Sequence, residues 1–262
     1  MFIVFDVGAT KIRVAASKNL RDLGDVKVTE SSGSLEEVAD KIQKLSFELT
    51  GGKKIKAIGG GITAAIDKTD GKKLTEILKT KFGTKKVFIG NDAAVVGLGE
   101  AHFGAGKGFS IVEYITVSTG IGGARIVDGK IDKASVGFEP GHQIIKFEGE
   151  NRESLQDLAS GRGVSQKFHK NPKEILDQNV WNDLAYTLAI GVYNSILFWS
   201  PEVVVLGGPM IVGDPAIPIE KVREHVGRLI KVLPRIPEIK SAELKDDGGL
   251  IGGLILIKNK GK

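Results

Sequence analysis

One pattern occurs twice in the chain, and it constrains the fold more than any other feature. In each copy an apolar strand leads into a short polar turn that contains glycine, and the chain then returns as a second strand. The copies occupy Phe5–Val14 and Thr116–Val127, near the start of each half of the 262-residue sequence. Such internal similarity is typical of duplicated units. We therefore expect two domains of similar construction with a cleft between them.

Strand and helix patterns alternate along the rest of the chain. Short apolar runs at 55–58, which ends at three glycines, and at 203–206 indicate buried strands. Apolar residues at helical spacing follow Ser34, which forms a capping-box pattern with Glu37, and a further helical pattern covers 153–160. This alternation favours an α/β fold.

Composition and charge exclude several classes of protein. The chain has no cysteine, so disulfides and thiolate metal sites are excluded. Lys and Arg number 37 against 32 Asp and Glu, but the lysines are scattered, which does not indicate a nucleic-acid partner. Residues 184–201 carry no charge, yet their polar side chains favour a buried helix over a membrane span. Because Asp6 interrupts the apolar start, we expect no signal peptide and a cytoplasmic protein.

The two glycine turns are candidate phosphate sites. Glycine lets backbone N–H groups approach an anion, and Thr10, Lys11 and Thr119 supply further donors. One such turn is more simply interpreted as a β-hairpin turn, whereas two copies facing one cleft favour phosphate binding. No Gly-Lys pair continues to Ser or Thr, which excludes a Walker A loop.

Asp92 is a candidate general base. It follows a predicted strand at 87–89, with Asn91 beside it, at the strand end where α/β proteins bind ligands. A carboxylate there can accept the proton of a sugar hydroxyl as the oxygen attacks phosphorus. The alternative interpretation is that Asp92 caps a helix that begins at Ala93, and the spacing alone does not separate the two.

A second polar cluster is formed by Glu139 and His142, just past the second hairpin. A carboxylate and an imidazole together can hydrogen-bond neighbouring hydroxyls of a sugar. A surface turn with incidental charge explains the pair equally well.

At these segments the chain resembles the ROK (repressor, open reading frame, kinase) family of the actin-like ATPase and hexokinase superfamily. The resemblance covers nearly the whole chain, and its specificity lies in the order of the motifs. They are, in chain order, Asp6-Val-Gly-Ala-Thr-Lys11, Gly90-Asn-Asp-Ala93, Ser118-Thr-Gly-Ile-Gly-Gly123, Glu139-Pro-Gly-His142, Leu158-Ala-Ser-Gly161, Val204-Val-Leu-Gly-Gly208 and the glycines around 249–253.

The resemblance implies a two-domain actin-like ATPase (ribonuclease H-like) fold that closes over a sugar and Mg-ATP. A glycine-rich stretch at 104–108 is the expected hinge. We expect an N-terminal domain over 1–106, completed by a C-terminal helix at 248–262, and a second domain over 107–247. A homodimer is one option for the assembly.

The resemblance also implies roles for individual residues. Asp92 would be the base toward the sugar 6-hydroxyl, while Asn91, Glu139 and His142 would hold other hydroxyls. Asp6 would position Mg²⁺ through water. The residues that would line the nucleotide are Gly8, Thr10, Lys11, Thr119, Gly120, Gly207, Gly208 and Gly249.

Three departures from the family pattern affect this transfer of roles. The cysteine-rich zinc loop that usually follows the Gly-His step is missing, so no zinc site is expected and His142 needs another means of orientation. Gln156 stands where the family has a further sugar-binding Glu. Thr63 lies where the family has a Gly-x-Pro-Gly turn, and it would replace backbone contacts to the sugar or reshape its pocket.

The leading hypothesis is an ATP-dependent hexose kinase, with glucose as the first candidate. An N-acetylhexosamine kinase is the nearest alternative, because space near Thr63 and Gln156 would admit an acetamide. A sugar sensor without turnover is a second class. It is disfavoured because Asp92 and both phosphate turns are retained, and because no helix-turn-helix is expected before the first strand. A filament-forming actin relative is a third class, and it would not require the sugar-binding residues.

Overall fold

Two five-stranded sheets with the same strand order form the frame of the protein. The structure is a computed structural model that describes residues 1–66, 68–69, 71–134 and 137–260. The first sheet has the order β3-β2-β1-β4-β5, in which β1 and β2 are antiparallel and β1, β4 and β5 are parallel. Its strands are β1 Phe2–Val7, β2 Lys11–Ser17, β3 Val26–Glu30, β4 Ala57–Ile62 and β5 Val87–Asn91.

The second sheet repeats this arrangement with the order β12-β11-β6-β7-β8. Its strands are β6 Ile111–Val117, β7 Ile121–Val127, β8 Lys130–Ile131, β11 Val203–Gly207 and β12 Glu238–Ser241. Here β6 and β7 form the antiparallel hairpin, and β6, β11 and β12 are parallel. The duplication expected from the two glycine hairpins is therefore confirmed at the level of sheet topology.

Helices cover both sheets. The helices of the chain are α1 Leu35–Thr50, α2 Lys72–Phe82, α3 Asp92–Phe103, α4 Leu155–Ala159, α5 Gly161–Phe168, α6 Gln178–Trp199, α7 Pro209–Val212, α8 Ile219–Leu229 and α9 Gly248–Lys260. The capping box predicted for α1 is present, since the Ser34 side chain accepts from Glu37 N and the Glu37 carboxylate accepts from Ser34 N.

The chain divides into two compact units. The first unit comprises residues 1–99 and 246–262, and the second comprises 100–245. Residues 261 and 262, at the end of the predicted C-terminal helix, lie outside the described residues. The domain limits derived from the sequence stay predictions. The hinge at 104–108 also stays a prediction, because a division into compact units does not show whether the units move.

The first sheet has a buried layer on each face. Side chains of α1 and α2 pack on one face, and Leu250, Leu254 and Ile257 of α9 pack with Val4 on the other. Glycine at position 59 allows α9 to pack this closely on the sheet, because a Cβ on Gly59 would lie 2.5 Å from a carbonyl oxygen of α9.

The predicted end of strand β4 at its three glycines is wrong. The strand continues through Gly59, Gly60 and Gly61 to Ile62. A Cβ on Gly60 would lie 2.3 Å from the Phe5 carbonyl oxygen, so close packing accounts for glycine at that position. The glycines are in the strand because neighbouring backbone occupies the space of their side chains.

The uncharged run at 184–201 lies mostly in α6, which supplies buried residues including Trp181, Leu188 and Val192 to the core of the second unit. The predicted buried helix is confirmed. Within the described residues, no helix is both long and apolar enough to cross a membrane.

The helix expected at 153–160 is only partly correct. Residues 151–154 form β10, which pairs with β9 Ile144–Glu148, and α4 begins at Leu155. The Ser154 side chain accepts from Asp157 N and caps α4 at this point. The helical interpretation began two residues early because Glu153 and Ser154 carry no strand pattern of their own, and their place in β10 depends on pairing with β9.

Candidate active site

Polar residues of the first unit gather where its parallel strands end. Asp6 pairs in register with Gly61, and Ile62 pairs with Asn91. Thr63 continues this edge, since its N–H donates to the Val7 carbonyl at 3.0 Å. Carboxyl ends of parallel strands are the usual ligand-binding edge of α/β sheets. Asp6, Thr63, Asn91 and Asp92 therefore belong to one edge.

Asp6 is the most electrostatically perturbed of these residues. Its side chain is 15% exposed, and its Oδ2 lies 3.7 Å from Nη1 of Arg13. Burial, followed by the negative charge of Asp92, raises the pKa of Asp6 to about 6, against a smaller opposing effect of Arg13. A bound cation would favour the ionised form.

The chemistry of this edge fits Mg²⁺. Magnesium is usually held by one or two carboxylates, with waters and substrate phosphates completing its coordination. Asp6 and Asp92 supply such oxygens, and their mutual repulsion would fall on cation binding. In the described ranges, no group of three or more His, Asp or Glu forms an all-protein metal cage. The predicted role of Asp6 through water stays a prediction.

Gly249 lies against Asp6 at the start of α9. A Cβ at Gly249 would lie 2.7 Å from Cγ of Asp6, so glycine lets the first turn of this helix approach the carboxylate. Its predicted contact with adenosine stays a prediction.

Asn91 and Asp92 share the start of α3. Oδ1 of Asn91 accepts from Ala94 N at 3.2 Å, and Oδ1 of Asp92 accepts from Ala93 N at 2.9 Å. Asn91 therefore makes the bond typical of a helix cap, while Asp92 is the first helical residue. The backbone of β4 packs closely against this helix start, because a Cβ on Gly61 would lie 2.9 Å from Cα of Asp92.

The first glycine turn presents exposed donors. The Gly8 N–H donates to the Lys11 carbonyl at 3.0 Å, and Ser31 N donates to the Thr10 carbonyl at 3.0 Å. The side chains of Thr10 and Lys11 are exposed. Backbone hydrogen bonds thus brace the turn, and its side chains are accessible to an anion such as phosphate.

The second glycine turn is supported by α5. The N–H groups of Gly161 and Arg162 donate to the carbonyls of Ser118 and Thr119 at 2.7 and 3.2 Å. Thr119 itself is exposed. The start of the helix thus binds the carbonyl groups of the turn and fixes its shape.

Gln156 lies beside the second turn. Its Oε1 accepts from Ile121 N at 3.4 Å and would be 2.8 Å from a Cβ on Gly120. Gln156, which is predicted to bind the sugar, thus contacts the second glycine turn, which is predicted to bind phosphate. Its sugar contact stays a prediction.

Gly207 and Gly208 lie at the end of β11, against the strand that leads into the second turn. A Cβ on Gly208, where φ is +86°, would lie 2.4 Å from the Val117 carbonyl oxygen and 2.7 Å from Oγ1 of Thr116. The end of β11 therefore lies against the end of β6, the strand that leads into the second glycine turn. The individual roles of Gly207 and Gly208 stay predictions.

Glu139 precedes a short 3₁₀ turn, Pro140–His142, that ends at His142 and packs against β7. A Cβ on Gly141 would lie 2.2 Å from the Ile121 carbonyl oxygen. The His142 N–H donates to the Glu139 carbonyl at 3.1 Å. Because Ile121 also adjoins Gly120, the turn that carries the predicted sugar residues and the second glycine turn meet the same residue of β7.

Sequence reasoning missed Arg13. This guanidinium faces Asp6 and also binds Asp246 at 2.7 Å. A single charged residue inside an otherwise apolar strand, Ile12–Ala16, is the signal that would have found it.

The chain is similar to known proteins along almost its whole length. The profile described as "ROK family" matches residues 2–260. A glucokinase of Thermotoga maritima is 26% identical over 277 residues, covering 86% of each chain. An N-acetyl-D-glucosamine kinase of Haemophilus influenzae is 25% identical over 312 residues, covering 99% of this chain and all of the relative. A ROK hexokinase structure from Thermus thermophilus superposes with a TM-score of 0.81 at 26% identity, covering 100% of this chain and 99% of the other.

Proposed function

Because the chain belongs to the ROK family, we propose that it is a sugar kinase that transfers a phosphoryl group from ATP to a hexose, at the 6-hydroxyl. The observation that carries the proposal is the pair of carboxylates, Asp6 and Asp92, at the edge where three parallel strands end. The family match and the similarity to sugar kinases along almost the whole chain support the same reaction.

Asp92 acts as the general base. Its carboxylate accepts the proton of the attacking sugar hydroxyl as the oxygen–phosphorus bond forms, and such a base contributes roughly 10²–10⁴ in rate. The bond from Ala93 N to Oδ1 fixes the carboxylate at the start of α3. Asn91 stands next to it and binds a second hydroxyl.

Asp6 and the glycine turns serve the nucleotide. Magnesium, when bound, neutralises charge on the phosphates. Asp6 would hold that ion, and Arg13, whose Nη1 lies 3.7 Å from Oδ2 of Asp6, orients the Asp6 carboxylate. Thr10, Lys11, Thr119 and Gly120 donate to phosphate oxygens, with Gly8 shaping the first turn. The backbone at Gly207, Gly208 and Gly249 borders the adenosine.

Glu139, His142, Gln156 and Thr63 bind the remaining groups of the sugar. The cysteine-containing zinc motif of the family is absent, since the chain contains no cysteine. His142 is therefore oriented without zinc thiolates, and Gln156 is a neutral hydrogen-bonding partner.

An N-acetylhexosamine kinase is the second candidate. The observation that favours it is the likeness to the N-acetyl-D-glucosamine kinase of Haemophilus influenzae, which extends over 99% of this chain.

An ADP-release assay over a panel of sugars tests the proposal. The purified protein is supplied with Mg²⁺-ATP and, in turn, glucose, mannose, N-acetylglucosamine, N-acetylmannosamine or no sugar. We expect ADP release only with a hexose or an amino-hexose, and ³¹P NMR of the product locates the phosphate. Equal release with and without sugar would contradict the proposal, as would sugar binding by calorimetry without turnover on any sugar, which is the behaviour of a sensor.

A further inference from the structure

The turn that carries Glu139 and His142 is tied to α6 by the side chain of Gln143. Nε2 of Gln143 donates to the Pro140 carbonyl at 2.8 Å and to the Gly191 carbonyl at 3.2 Å. Its Oε1 accepts from Nδ2 of Asn194 at 2.8 Å. One amide thus joins the turn to two positions on the same long helix.

The backbone of Gln143 adds a connection to α4. Its carbonyl accepts from Leu155 N, the first residue of that helix, at 2.9 Å. The two helices meet closely here, because a Cβ on Gly191 would lie 2.4 Å from Cδ2 of Leu155. Gln143 therefore stands where the turn, α4 and α6 converge.

Only an amide of this length satisfies all three side-chain bonds. A side-chain amide carries two donors and an acceptor, and Gln143 uses both functions. A carboxylate would direct lone pairs at the carbonyls of Pro140 and Gly191. A thioether would leave both carbonyls and the Asn194 amide without this partner, and unpaired polar groups in a partly buried site are unfavourable.

His142 depends on the backbone of this turn for its position. Its side chain is exposed, and among the described residues the ring makes no hydrogen bond. Hydrogen bonds from Ser154 hold the pKa of Asp157 below its usual range, and the charge of His142 adds a smaller effect in the same direction. The ring thus lies within electrostatic range of Asp157, while its anchoring comes from the turn.

We propose that Gln143, held by Asn194, is a positioning residue that sets the turn from which Glu139 and His142 reach the sugar. The side-chain amides of Gln143 and Asn194 thus anchor the turn to α6 through hydrogen bonds alone. This inference rests on the proposed function, because only that function makes Glu139 and His142 sugar-binding residues. It assigns Gln143 to the binding of the sugar and not to that of the nucleotide.

The test replaces Gln143 by methionine, which is similar in length and cannot donate. The control is Gln178→Met, the same change at an exposed position in the first turn of α6. We expect Gln143→Met to raise the sugar KM by about tenfold, since each net hydrogen bond contributes on that order. The KM for ATP should stay within about twofold, as should both constants in Gln178→Met.

A purely structural role for Gln143 gives a different result. In that case the melting temperature and kcat fall while the sugar KM stays at the wild-type value, and the inference is overturned. If Gln143→Met does not fold, Asn194→Ala, which removes one of the three bonds, replaces it, and an unchanged sugar KM then overturns the inference in the same way.

A spectroscopic readout separates this inference from the proposed function. The chain has four histidines, and the ring signals of His142 in ¹⁵N spectra are identified as those that disappear in a His142→Gln variant. We expect Gln143→Met to move the His142 signals and to leave those of His102 and His225 in place. If no sugar supports ADP release, the proposed function fails on its own. Unmoved His142 signals overturn the inference whatever the assay gives.

Discussion

The carboxylate of Asp92 can be neutralised without changing its size or its hydrogen bond to the backbone. Asp92→Asn keeps an oxygen that accepts from Ala93 N but loses basicity. We expect kcat to fall by roughly 10²–10⁴ while sugar binding by calorimetry is retained.

A matched change elsewhere controls for the helix terminus. Asp177 caps α6 through a bond from Asn179 N, and Asp177→Asn should leave kcat at the wild-type value. Turnover of Asp92→Asn near that of the wild type would remove Asp92 from the role of base.

The raised pKa of Asp6 predicts a pH dependence of nucleotide binding. Because burial and the charge of Asp92 raise that pKa to about 6, Asp6 loses its charge as the pH falls through 6. We expect the affinity for Mg²⁺-nucleotide to fall below that pH, approaching about tenfold per pH unit. Titration calorimetry at several pH values measures it.

Comparison with Asp6→Asn isolates the contribution of Asp6, because protonation of the nucleotide itself affects both proteins alike. The variant should bind more weakly at pH 8 and show a shallower profile. Asp25→Asn, at an exposed position, should follow the wild type. Identical slopes for wild type and Asp6→Asn would exclude Asp6 from the metal-nucleotide site.

At the scale of elements, the junction of β11 with β6 links backbone conformation to the residues predicted to bind the nucleotide. Gly208→Ala would place a Cβ 2.4 Å from the Val117 carbonyl in a backbone conformation of positive φ. We expect the end of β6 and the turn after it to shift, so that the KM for ATP rises several-fold. Unfolding free energy should fall by about 1–3 kcal/mol.

Gly149→Ala is the control that separates the effect of the steric contact at Gly208 from the effect of a positive φ. Gly149 also has positive φ, but a Cβ there meets nothing within 4 Å. It should lose about 1 kcal/mol of stability and keep the wild-type KM for ATP. An unchanged KM for ATP in Gly208→Ala would contradict the placement of this junction beside the nucleotide.

Elements with a strong local signal were predictable, and those that depend on contacts made elsewhere were not. The two glycine hairpins and the capping box at Ser34 were found because apolar alternation and turn chemistry are local. The passage of β4 through Gly59–Gly61 was missed, since the reason for glycine there is the approach of α9 and Phe5.

The candidate site divides in the same way. Asp92 and Asn91 could be placed at a strand end from sequence because a strand, a polar pair and a helix follow one another there. The isolated charge in β2 marks Arg13, but its contact with Asp6 could not be predicted. The same holds for Gln156 beside Gly120 and for the bonds of Gln143, because each contact depends on the register of separate elements. The roles of these residues toward ligands stay predictions.

At the scale of the whole molecule, the predicted α/β actin-like ATPase fold is confirmed by the two similarly ordered sheets and by the likeness to the hexokinase of Thermus thermophilus. One buried carboxyl group is also unfavourable to the folded state when it is ionised. Glu113 of β6 is fully buried, and neither of its oxygens has a partner in good hydrogen-bond geometry among the described residues, because the nearby Ser195 hydroxyl donates to the Val192 carbonyl. Its strand neighbour Arg125 binds Asp132 and the Trp199 carbonyl instead.

Burial raises the pKa of Glu113 to about 8, against an ordinary value of 4.5, and this predicts that global stability decreases with pH. The folded state binds the proton more tightly, so the stability due to the neutral carboxyl is complete below pH 4.5. It is lost as the pH rises toward 8, by up to about 5 kcal/mol.

Thermal unfolding of Glu113→Gln measures this effect. The variant and the wild type should melt at similar temperatures at pH 5, and the variant should be the more stable at pH 8. Glu150→Gln, in an exposed turn, should track the wild type at both pH values. A constant difference in melting temperature between wild type and Glu113→Gln across this pH range would show that Glu113 does not titrate as expected.

The packing of α9 on the first sheet has a consequence for biosynthesis. The strands of that sheet leave the ribosome early, while the helix that covers the Val4 side follows after the entire second unit. The contiguous residues 100–245 can finish folding while the earlier sheet still exposes an uncovered apolar face. A nascent chain at this stage presents a surface that chaperones recognise, and translation must continue through α9 before that surface disappears.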